Sequence, residues 1–589
     1  MSLRTICRSR REWPAVAGLL LVALVMHLLS LVGTRVVWGD EPFYLWLGRN
    51  WLTGQGYQFL GFTDVHHLPL FPLLAGLLYL LTGSLEIASN ILYIVFGSLV
   101  ILPVYGIGRR LYGPTVGLLA GLLAALWPAF NAAVPWWGSM TEAPFYFFVV
   151  LGLWAAAAAA GLDGDARREG SEPAATATAS RPLWAWGLAG LAFGLAYLIR
   201  PEGIWYAPAV GGALLVVVWL QRWAWRRWLV GGALFALGFF LAFSPYAIHT
   251  RIHSGAWMVS EKVGITFQDA LALARGDMAE HDRVLWQLDT TGAQVFFFSP
   301  ESFHLSMWDQ IKANPRRYAG ILYLNVQSLL RRFFTVEGFL PVMLPILGLG
   351  LFGAAWTQRR ARGELLLLAA CLPPLTFVLF FIFTRYLSPL LFPLLLWTGL
   401  GLARLGDWAA ATLVALCPRL ARSGDSSRPA IGLAVTGAAE AQGRPPDGKS
   451  AWERWAWRLP VLVVAVILLA AHPLTRTSVT GTQAVRQEHR AVGEWLATHT
   501  AADAVVMARY PAIAFHADRH WIPSPNSEYG AARRYAAINR ADYWVVDCNE
   551  KTWRPQLGFL SDGKPPAELE LIYSAPTTGR PVYVYRIKP

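Results

Sequence analysis

The sequence Trp38-Gly39-Asp40-Glu41-Pro42-Phe43-Tyr44 follows directly on an apolar run over residues 15–33, and it leads on to Phe62-Thr63-Asp64-Val65-His66-His67-Leu68-Pro69-Leu70. Together these stretches put three carboxylates and two histidines just beyond a helix of membrane length. Charged side chains at a bilayer boundary are costly unless they are solvated or used. Asp40 and Glu41 therefore either end the helix on its wet side or take part in chemistry.

The neighbours of these acids favour the second interpretation. They are mostly aromatic, whereas a solvated linker would be polar; the set is Trp38, Phe43, Tyr44, Trp46 and Trp51. Such surroundings indicate a crevice covered by helices at the membrane interface.

The composition indicates a membrane protein. Of the 589 residues 55% are hydrophobic and only 15% are charged, and the mean hydropathy is +0.40. These values are unusual for a soluble chain of this length. The 28 tryptophans suit many helix ends at membrane interfaces. The net charge of +13 comes from basic residues beside apolar runs, which indicates topology and lipid contact, not nucleic-acid binding.

The cysteines argue against a zinc or disulfide-stabilised protein, and the N-terminus argues against a cleaved signal peptide. The four cysteines are scattered singly, with no CxxC pair, which predicts neither a zinc site nor a disulfide framework. The basic N-terminus and its apolar run resemble a signal peptide. The run is nevertheless as long as a full span, and no small-residue cleavage site follows it. We expect an uncleaved first membrane helix.

Apolar runs of membrane length predict about eleven transmembrane helices. They lie near 14–33, 86–107, 114–134, 142–161, 184–199, 204–220, 229–248, 339–356, 363–383, 386–403 and 457–473. The run 68–82 is short and holds two prolines, so we place it as a half-inserted helix on the outer side. With that choice the arginine clusters of the short loops all fall on the cytoplasmic side. The N-terminus is then cytoplasmic and the C-terminus lies outside.

The chain divides into four parts. We predict a transmembrane catalytic module over 1–405 with outer loops 34–85 and 249–338, a cytoplasmic linker over 406–456, a last span at 457–473 and a soluble domain over 474–589. Amphipathic pieces of the second outer loop, Phe303–Lys312 and Tyr318–Phe334, are expected on the membrane surface. Asp163–Ser180 and Ala421–Ser450 have the composition of disordered linkers.

The last part has the pattern of a small α/β domain. Helices are predicted at Gln487–Thr498 and Tyr529–Asn539, and strands at Ala504–Ala508, Tyr543–Asp547, Leu569–Tyr573 and Val582–Ile587. No GxGxxG and no P-loop occurs there. The expected role is to cap the outer face or to engage an acceptor.

Polar residues at the membrane edge converge on the outer side in this topology. They are Asp40, Glu41, Asp64, His66, His67, Glu142, Arg200, Glu202, Lys262, Arg385 and Tyr386. Carboxylates and cations gathered at one membrane surface suit a site for an anionic lipid headgroup beside a base.

Each of these residues also has a structural explanation. Arg200 and Arg385 mark interfacial helix ends, and for either alone that explanation is preferred. Glu142 suits the N-terminus of a helix, and Arg200 with Glu202 forms a structural ion pair. The two histidines beside Asp64 permit a metal, but three ligands without known geometry are weak grounds for one. The joint placement of all of them favours a functional site.

The motifs resemble those of a known enzyme class. The Asp-Glu pair after the first span resembles the first-loop motif of the GT-C membrane glycosyltransferases, and the bacterial family-39-like enzymes most of all. Residues 62–70 are similar to the aspartate–histidine–proline segment of the protein O-mannosyltransferases, with His67-Leu68-Pro69 in place of His-Pro-Pro. Met140–Pro144, Leu198–Gly203 and Arg385–Pro389 are likewise typical of the class, which includes the lipid A aminoarabinose transferases.

The resemblance implies a polyprenyl-phosphate-linked sugar donor and an acceptor hydroxyl on the outer face of a bacterial inner membrane. Asp40 is then the base, and Glu41 orders the loop or binds sugar hydroxyls. Asp64 and Glu142 contact sugar or acceptor. Cations at the leaving phosphate are Arg200, Lys262, Arg385 and one of the histidines. No cofactor and no metal is expected, and a single in-line displacement predicts inversion.

Two other functions compete with this hypothesis. A transporter or flippase of lipid-linked sugars would show repeats and broken helices at the bilayer midplane, and neither is evident. An assembly protein whose soluble tail binds the envelope would leave the acids of the first loop unexplained. The sugar, and whether the acceptor is a lipid, glycan or protein, are not determined by the sequence.

Overall fold

A computed structural model of the chain describes residues 12–32, 35–162, 182–258, 262–417, 451–481, 486–575 and 581–588. The two linkers predicted at 163–180 and 421–450 lie outside these ranges.

Most of the described chain is helical, and nine helices within it are long and apolar enough to cross a membrane. They are Trp13–Leu31, Leu85–Tyr112, Pro114–Trp136, Glu142–Ala159, Pro201–Leu220, Trp225–Ser254, Gln358–Leu379, Thr384–Leu416 and Ala451–Thr480. Nine of the eleven predicted spans correspond to these helices. The other two are shorter apolar helices, Trp184–Tyr197 and Pro341–Phe352. The predicted all-α polytopic membrane fold is thereby confirmed.

Two contacts show how the first helices are arranged. At one end of the bundle, Glu12 accepts hydrogen bonds from Arg109 at the end of Leu85–Tyr112, with a Nε to Oε2 distance of 3.1 Å. At the other end, the backbone N–H of Asp40 donates to the carbonyl of Gly138 at 2.9 Å. The helices thus alternate in direction, and the candidate acids of the first loop lie at the end opposite Arg109.

The first outer loop is folded against this end of the bundle. It holds the helix Glu41–Leu52, a short hairpin of strands β1 (Gln58–Phe59) and β2 (Phe62–Thr63), and the helix Leu70–Thr82. The last has 13 residues, and whether it crosses the membrane stays a prediction. The two helices meet closely because Gly48 and Gly76 have no side chains; a Cβ on Gly48 would lie 2.2 Å from a backbone oxygen of Pro72.

The second outer loop is a set of short helices. They are Lys262–Arg275, Met278–Trp286, Met307–Ala313 and Pro315–Phe333. The second predicted amphipathic piece is confirmed as a helix, and the first is helical mainly in its second part, Met307–Ala313. The longest is held at the bundle by Asn325, whose side-chain amide donates to the carbonyls of Val378 and Phe380, each at 2.9 Å.

The C-terminal region contains the predicted α/β domain. Its five-stranded sheet has the order β4-β3-β5-β7-β6, with β3 (Val505–Ala508), β4 (His520–Pro523), β5 (Tyr543–Asp547), β6 (Leu569–Ala575) and β7 (Val582–Ile587). β3 pairs in parallel with β4 and β5, and the last two strands pair antiparallel. Helices Arg486–His499, Pro511–Ala517 and Tyr529–Ile538 pack on it. The strand at 520–523 was not predicted because it is short and ends in a proline.

An ion-pair cluster joins this domain to the second outer loop. Asp282, on the helix Met278–Trp286, accepts from Arg509 at 2.5 Å and from Arg554 at 2.7 Å. All three come from segments far apart in sequence, and the Asp282 and Arg554 side chains are fully buried. The cluster fixes the helix Met278–Trp286 to the C-terminal domain.

Candidate active site

A tight backbone contact sets the position of Asp40. Gly39 and Gly138 both have positive φ, +63° and +78°, a region that glycine adopts readily. The Gly138 carbonyl accepts from the N–H groups of Asp40 and Glu41 at 2.9 and 3.1 Å, and the Trp38 indole covers Gly138 so closely that a Cβ there would meet it at 2.6 Å. A larger residue at either glycine would displace the turn that carries Asp40.

Asp40 lies on the wall of a cavity of about 830 Å³. The first outer loop supplies Asp40, Phe43 and His67, and the start of the span Thr384–Leu416 supplies Arg385 and Tyr386. The second outer loop completes the wall with Asp269, His281, Arg331 and Arg332, and the helix Arg486–His499 adds Arg486. The site therefore forms only when both outer loops pack on the end of the bundle.

Arg385 faces this cavity with its charge uncompensated by an ion pair. Its guanidinium donates to the carbonyl of Trp137 at 3.1 Å and to the hydroxyl of Tyr386 at 2.7 Å. No carboxylate within the described ranges forms a salt bridge with it, although it lies near enough to Asp40 for the two charges to interact. A cation and a carboxylate thus line the same space.

Arg331 and Arg332 add two further cations to the wall. They end the helix Pro315–Phe333, and neither makes an ion pair with any part of the chain that the structure describes. Arg332 lies over the Phe383 ring at 5.4 Å. Neither arginine was singled out from the sequence. A signal was present, since on the predicted topology they are arginines outside the membrane, against the positive-inside tendency.

Glu142, Arg200 and Glu202 form a separate, buried group. Arg200 donates to Glu142 at 2.8 Å and to Glu202 at 2.5 Å, and Ser139 donates to Glu142 at 2.9 Å. None of the three lines the cavity, but the guanidinium carbon of Arg200 lies 5.2 Å from the ring centroid of Tyr386, which does. The geometry matches the structural ion pair that the sequence offered as an alternative for Arg200 and Glu202.

Glu41 also faces away from the cavity. Its carboxylate accepts from Arg35 at 2.5 Å and from Ser89 at 2.5 Å, and Arg35 donates in turn to Asn90 at 2.7 Å. Burial raises the pKa of Glu41 above its ordinary value, while Arg35 and Ser89 act against that rise. These contacts are those of a group that orders the loop. Arg35 was not singled out from the sequence.

Asp64 orients one of the two histidines. Its Oδ1 accepts from the backbone N–H groups of His66 at 3.0 Å and His67 at 2.7 Å, and its Oδ2 lies 3.0 Å from Nδ1 of His67. His67 lines the cavity, with its ring 5.0 Å from that of Tyr44. His66 packs on Phe297 at 4.7 Å. No cluster of three or more metal-ligating side chains occurs among the described residues.

A histidine–aspartate pair lies across the cavity. Nδ1 of His281 is 2.6 Å from Oδ2 of Asp269, and both residues line the wall. The Asp269 carboxylate is almost fully buried and holds the imidazole in one orientation. The sequence showed no motif for this pair because the two residues lie on different helices. Lys262 begins the first of these helices, but its side chain is outside the described part.

Comparisons with known proteins show which family and which folds this chain resembles. The family model of dolichyl-phosphate-mannose-protein mannosyltransferases matches residues 66–165. Apo ArnT from Cupriavidus metallidurans superposes with a TM-score of 0.56 at 14% identity, covering 97% of each chain. The oligosaccharyltransferase AglB from Archaeoglobus fulgidus superposes with a TM-score of 0.55 at 15% identity, over 98% of this chain and 74% of its own. The curated protein sequences gave no match.

This chain has the GT-C fold of membrane glycosyltransferases. The predicted resemblance and the predicted class of multi-pass membrane enzyme are confirmed by the family match and the fold together. A further structure of the Cupriavidus ArnT, bound to undecaprenyl phosphate, superposes on this GT-C chain with a TM-score of 0.55 at 14% identity, over 98% of each.

Proposed function

We propose that the protein transfers a monosaccharide from a polyprenyl-phosphate donor to an acceptor hydroxyl at the outer face of a bacterial inner membrane. The observation that carries this proposal is the cavity that Asp40 shares with several arginines, among them Arg331, Arg332 and Arg385. None of these three arginines is ion-paired to a carboxylate among the described residues. A base and an anion site in one cavity are what the reaction needs.

The residues act on opposite sides of the anomeric carbon. The acceptor oxygen forms a bond to that carbon as the bond from the carbon to the phosphate oxygen breaks. The acceptor proton passes to Asp40, and the electron pair of the broken bond leaves with the phosphate, whose charge Arg385, Arg331 and Arg332 stabilise. A single displacement of this kind inverts the anomeric centre.

The remaining candidates have supporting roles in this proposal. His67, oriented by Asp64, contacts the sugar or the acceptor from the wall beside Phe43. Glu142, Arg200 and Glu202 hold Tyr386 and the start of its helix in place. Glu41 keeps the first loop fixed through Arg35.

Two observations support the donor class and the membrane face. The solved structures of ArnT with undecaprenyl phosphate and of AglB with dolichol-phosphate show lipid phosphates on proteins of this fold. The cavity lies at the bundle end opposite Arg109, and the arginine-rich short loops favour a cytoplasmic position for that other end. The C-terminal α/β domain then faces the periplasm.

The proposal is tested with undecaprenyl phosphate and full-length protein in lipid nanodiscs. We expect Arg385→Gln to weaken equilibrium binding of radiolabelled undecaprenyl phosphate by about ten- to a hundredfold, the effect of a lost hydrogen bond between charged groups. Arg251→Gln is the matched control, because Arg251 is an exposed arginine near the same bundle end that does not line the cavity. Equal affinity of wild type and Arg385→Gln would contradict the assigned phosphate site.

A second measurement separates transfer from transport. Undecaprenyl-phosphate-linked sugars, each carrying a labelled sugar, are supplied in turn with a cell-envelope extract, and the product linkage is determined by NMR. We expect one donor to yield a glycosylated product with inverted configuration. Movement of the donor across sealed vesicles, with no product from any donor, would establish a transporter instead.

A further inference from the structure

A second cavity, of about 410 Å³, lies beside the first on the outer side of the molecule. It is enclosed by the hairpin β1–β2, by residues 293–298 of the second outer loop, and by the edge strand β4 of the C-terminal sheet. We call it the outer cleft. Its volume falls in the range of about 300–1,000 Å³ that small-molecule sites occupy, and the proposed transfer assigns it no role.

Side-chain amides dominate the polar lining of the outer cleft. Those of Gln55, Gln58 and Gln294 make no hydrogen bond with any described part of the chain, and Oε1 of Gln294 is buried without a protein partner. Two asparagines complete the set, with Asn50 donating to the carbonyl of Gln58 and Asn539 to that of Ala293. A buried acceptor left unbonded costs about 1–3 kcal/mol. The lining is therefore suited to a ligand rich in hydroxyl groups.

Aromatic rings form the apolar side of the outer cleft. Phe59 stacks on Trp46 at 5.7 Å and on Trp521 at 5.9 Å between ring centroids. Phe62, at the tip of the hairpin, is half exposed. A pyranose ring has apolar C–H faces that pack on aromatic rings and hydroxyls around its edge that bond to amides. Aromatic and amide groups in this combination suit a saccharide.

Both arginines that line the outer cleft already donate hydrogen bonds within the chain. Arg49 pairs with Asp518 at 2.9 Å. Arg519 donates to the carbonyls of Ala497 and Thr500 at 2.7 and 2.8 Å. No aspartate, glutamate or lysine lines it among the described residues. Every guanidinium nitrogen of Arg519 donates to an oxygen of the chain, and Arg49 is paired with a carboxylate, so the lining favours an uncharged polar ligand.

The edge strand β4 is poorly suited to a peptide. Strand addition needs a run of free N–H and C=O groups on the edge. β4 has only four residues, and its last, Pro523, has no N–H to donate. An extended peptide would gain few backbone hydrogen bonds at this edge.

The two cavities are neighbours separated by one layer of rings. Phe298 lines both of them. Phe43 on the wall of the first cavity contacts Phe59 and Trp521 of the outer cleft, at 5.2 and 5.4 Å between centroids. The outer cleft and the first cavity therefore share a wall one ring thick, which places the outer cleft next to the cavity that holds Asp40.

We propose that the acceptor is an oligosaccharide or polysaccharide, and that the outer cleft binds the sugar units next to the one that carries the attacking hydroxyl. This inference rests on the proposed function for the identity of the acceptor. Binding of a saccharide to the outer cleft can be measured without any transfer.

The probe is an array of bacterial envelope oligosaccharides, screened with fluorescently labelled full-length protein in nanodiscs. We expect one group of glycans to bind, and we expect the double variant Gln58→Ala/Gln294→Ala to bind them about tenfold more weakly, as for roughly two lost hydrogen bonds. Phe62→Ala tests the aromatic side with an exposed residue whose loss leaves the fold intact. The matched control is Gln358→Ala, an exposed glutamine at the opposite end of the bundle.

The outcomes separate this inference from the proposed function. Asp40→Asn is expected to bind the same glycans as wild type. A failure of transfer alone therefore does not contradict saccharide binding in the outer cleft. Absence of binding to every glycan on the array overturns the inference, and so does binding that the outer-cleft variants leave unchanged. Weaker glycan binding by the outer-cleft variants supports the inference only when Gln358→Ala binds the glycans as wild type does.

Discussion

Two groups of acids and arginines lie next to the same aromatic ring, that of Tyr386. Their charges are arranged in opposite ways. In the buried group, Arg200 is bonded to both Glu142 and Glu202, so its charge is compensated. In the cavity, Arg385 interacts with Asp40 across space, and no carboxylate of the described chain forms an ion pair with it. Arg200 is therefore held inside the fold by its two carboxylates, whereas the half-buried Arg385 keeps its charge for the anionic ligand that we propose.

The largest effect is expected at the acid on the cavity wall. Asp40→Asn removes the base while keeping the size of the side chain, and we expect the transfer rate to fall by about 10²- to 10⁴-fold. The measurement is initial-rate transfer from the active undecaprenyl-phosphate sugar. The control is Asp503→Asn, an exposed aspartate of the C-terminal domain. Retention of full activity in Asp40→Asn would show that Asp40 is not the base.

The neighbouring acid is expected to affect stability more than chemistry. Glu41→Ala leaves the buried Arg35 without its carboxylate, and breaking such a pair costs about 3–5 kcal/mol. We expect a large loss of thermal stability in detergent. Thermal unfolding monitored by circular dichroism measures it. Asp40→Ala, one residue away on the cavity wall, is the comparison variant and is expected to lose less stability than Glu41→Ala. A stable but inactive Glu41→Ala would instead assign Glu41 to the chemistry.

Asp282 extends the comparison to a paired acid outside the membrane. Burial alone would raise the pKa of Asp282, but Arg509 and Arg554 outweigh it and lower this pKa to about 2. A lowered pKa stabilises the folded state above the pKa of the unfolded chain, about 4, and this contribution is lost as the pH falls toward 2.

We therefore expect Asp282→Asn to lose about 2 kcal/mol of stability at neutral pH, with the gap to wild type closing in acid. Unfolding followed by tryptophan fluorescence from pH 7 to pH 2 checks this. A stability difference that stays constant over the whole range would rule out the ion pairs as its source.

The smallest effect is expected at an exposed pair. Arg283 donates to Glu280 at 2.6 Å, but both side chains are largely in solvent. Surface pairs of this kind contribute about 0–1 kcal/mol, so Arg283→Gln should change stability by less than about 0.5 kcal/mol. The same fluorescence measurement checks it, and a loss as large as that of Asp282→Asn would contradict the dependence on burial.

Much of the fold could be predicted because its signals are local. Apolar runs of membrane length and strands of alternating polarity are visible within 20 residues, and nine spans and four of the five C-terminal strands appear where the sequence predicts them. The exception, β4, has four residues and a terminal proline, and only pairing with β3 makes it a strand.

The candidate site could be predicted only in part. Asp40, His67, Arg385 and Tyr386 were selected from the sequence and line the cavity. The roles of these residues stay predictions. The Asp269–His281 pair could not be predicted, because its two members belong to no sequence motif. Only the packing of their two helices brings them within hydrogen-bond distance.

The sequence by itself determined that this chain crosses a membrane many times and carries acids and arginines at one boundary, because hydropathy and charge are properties of short segments. Only the tertiary structure decided what surrounds each of these charges. Glu41 is bonded to a serine 48 residues further along, while Asp40, the residue before it, lies in a cavity with arginines from distant segments. Adjacent residues have opposite environments because a helix turns their side chains to different sides, and what lies on each side depends on how the whole chain packs.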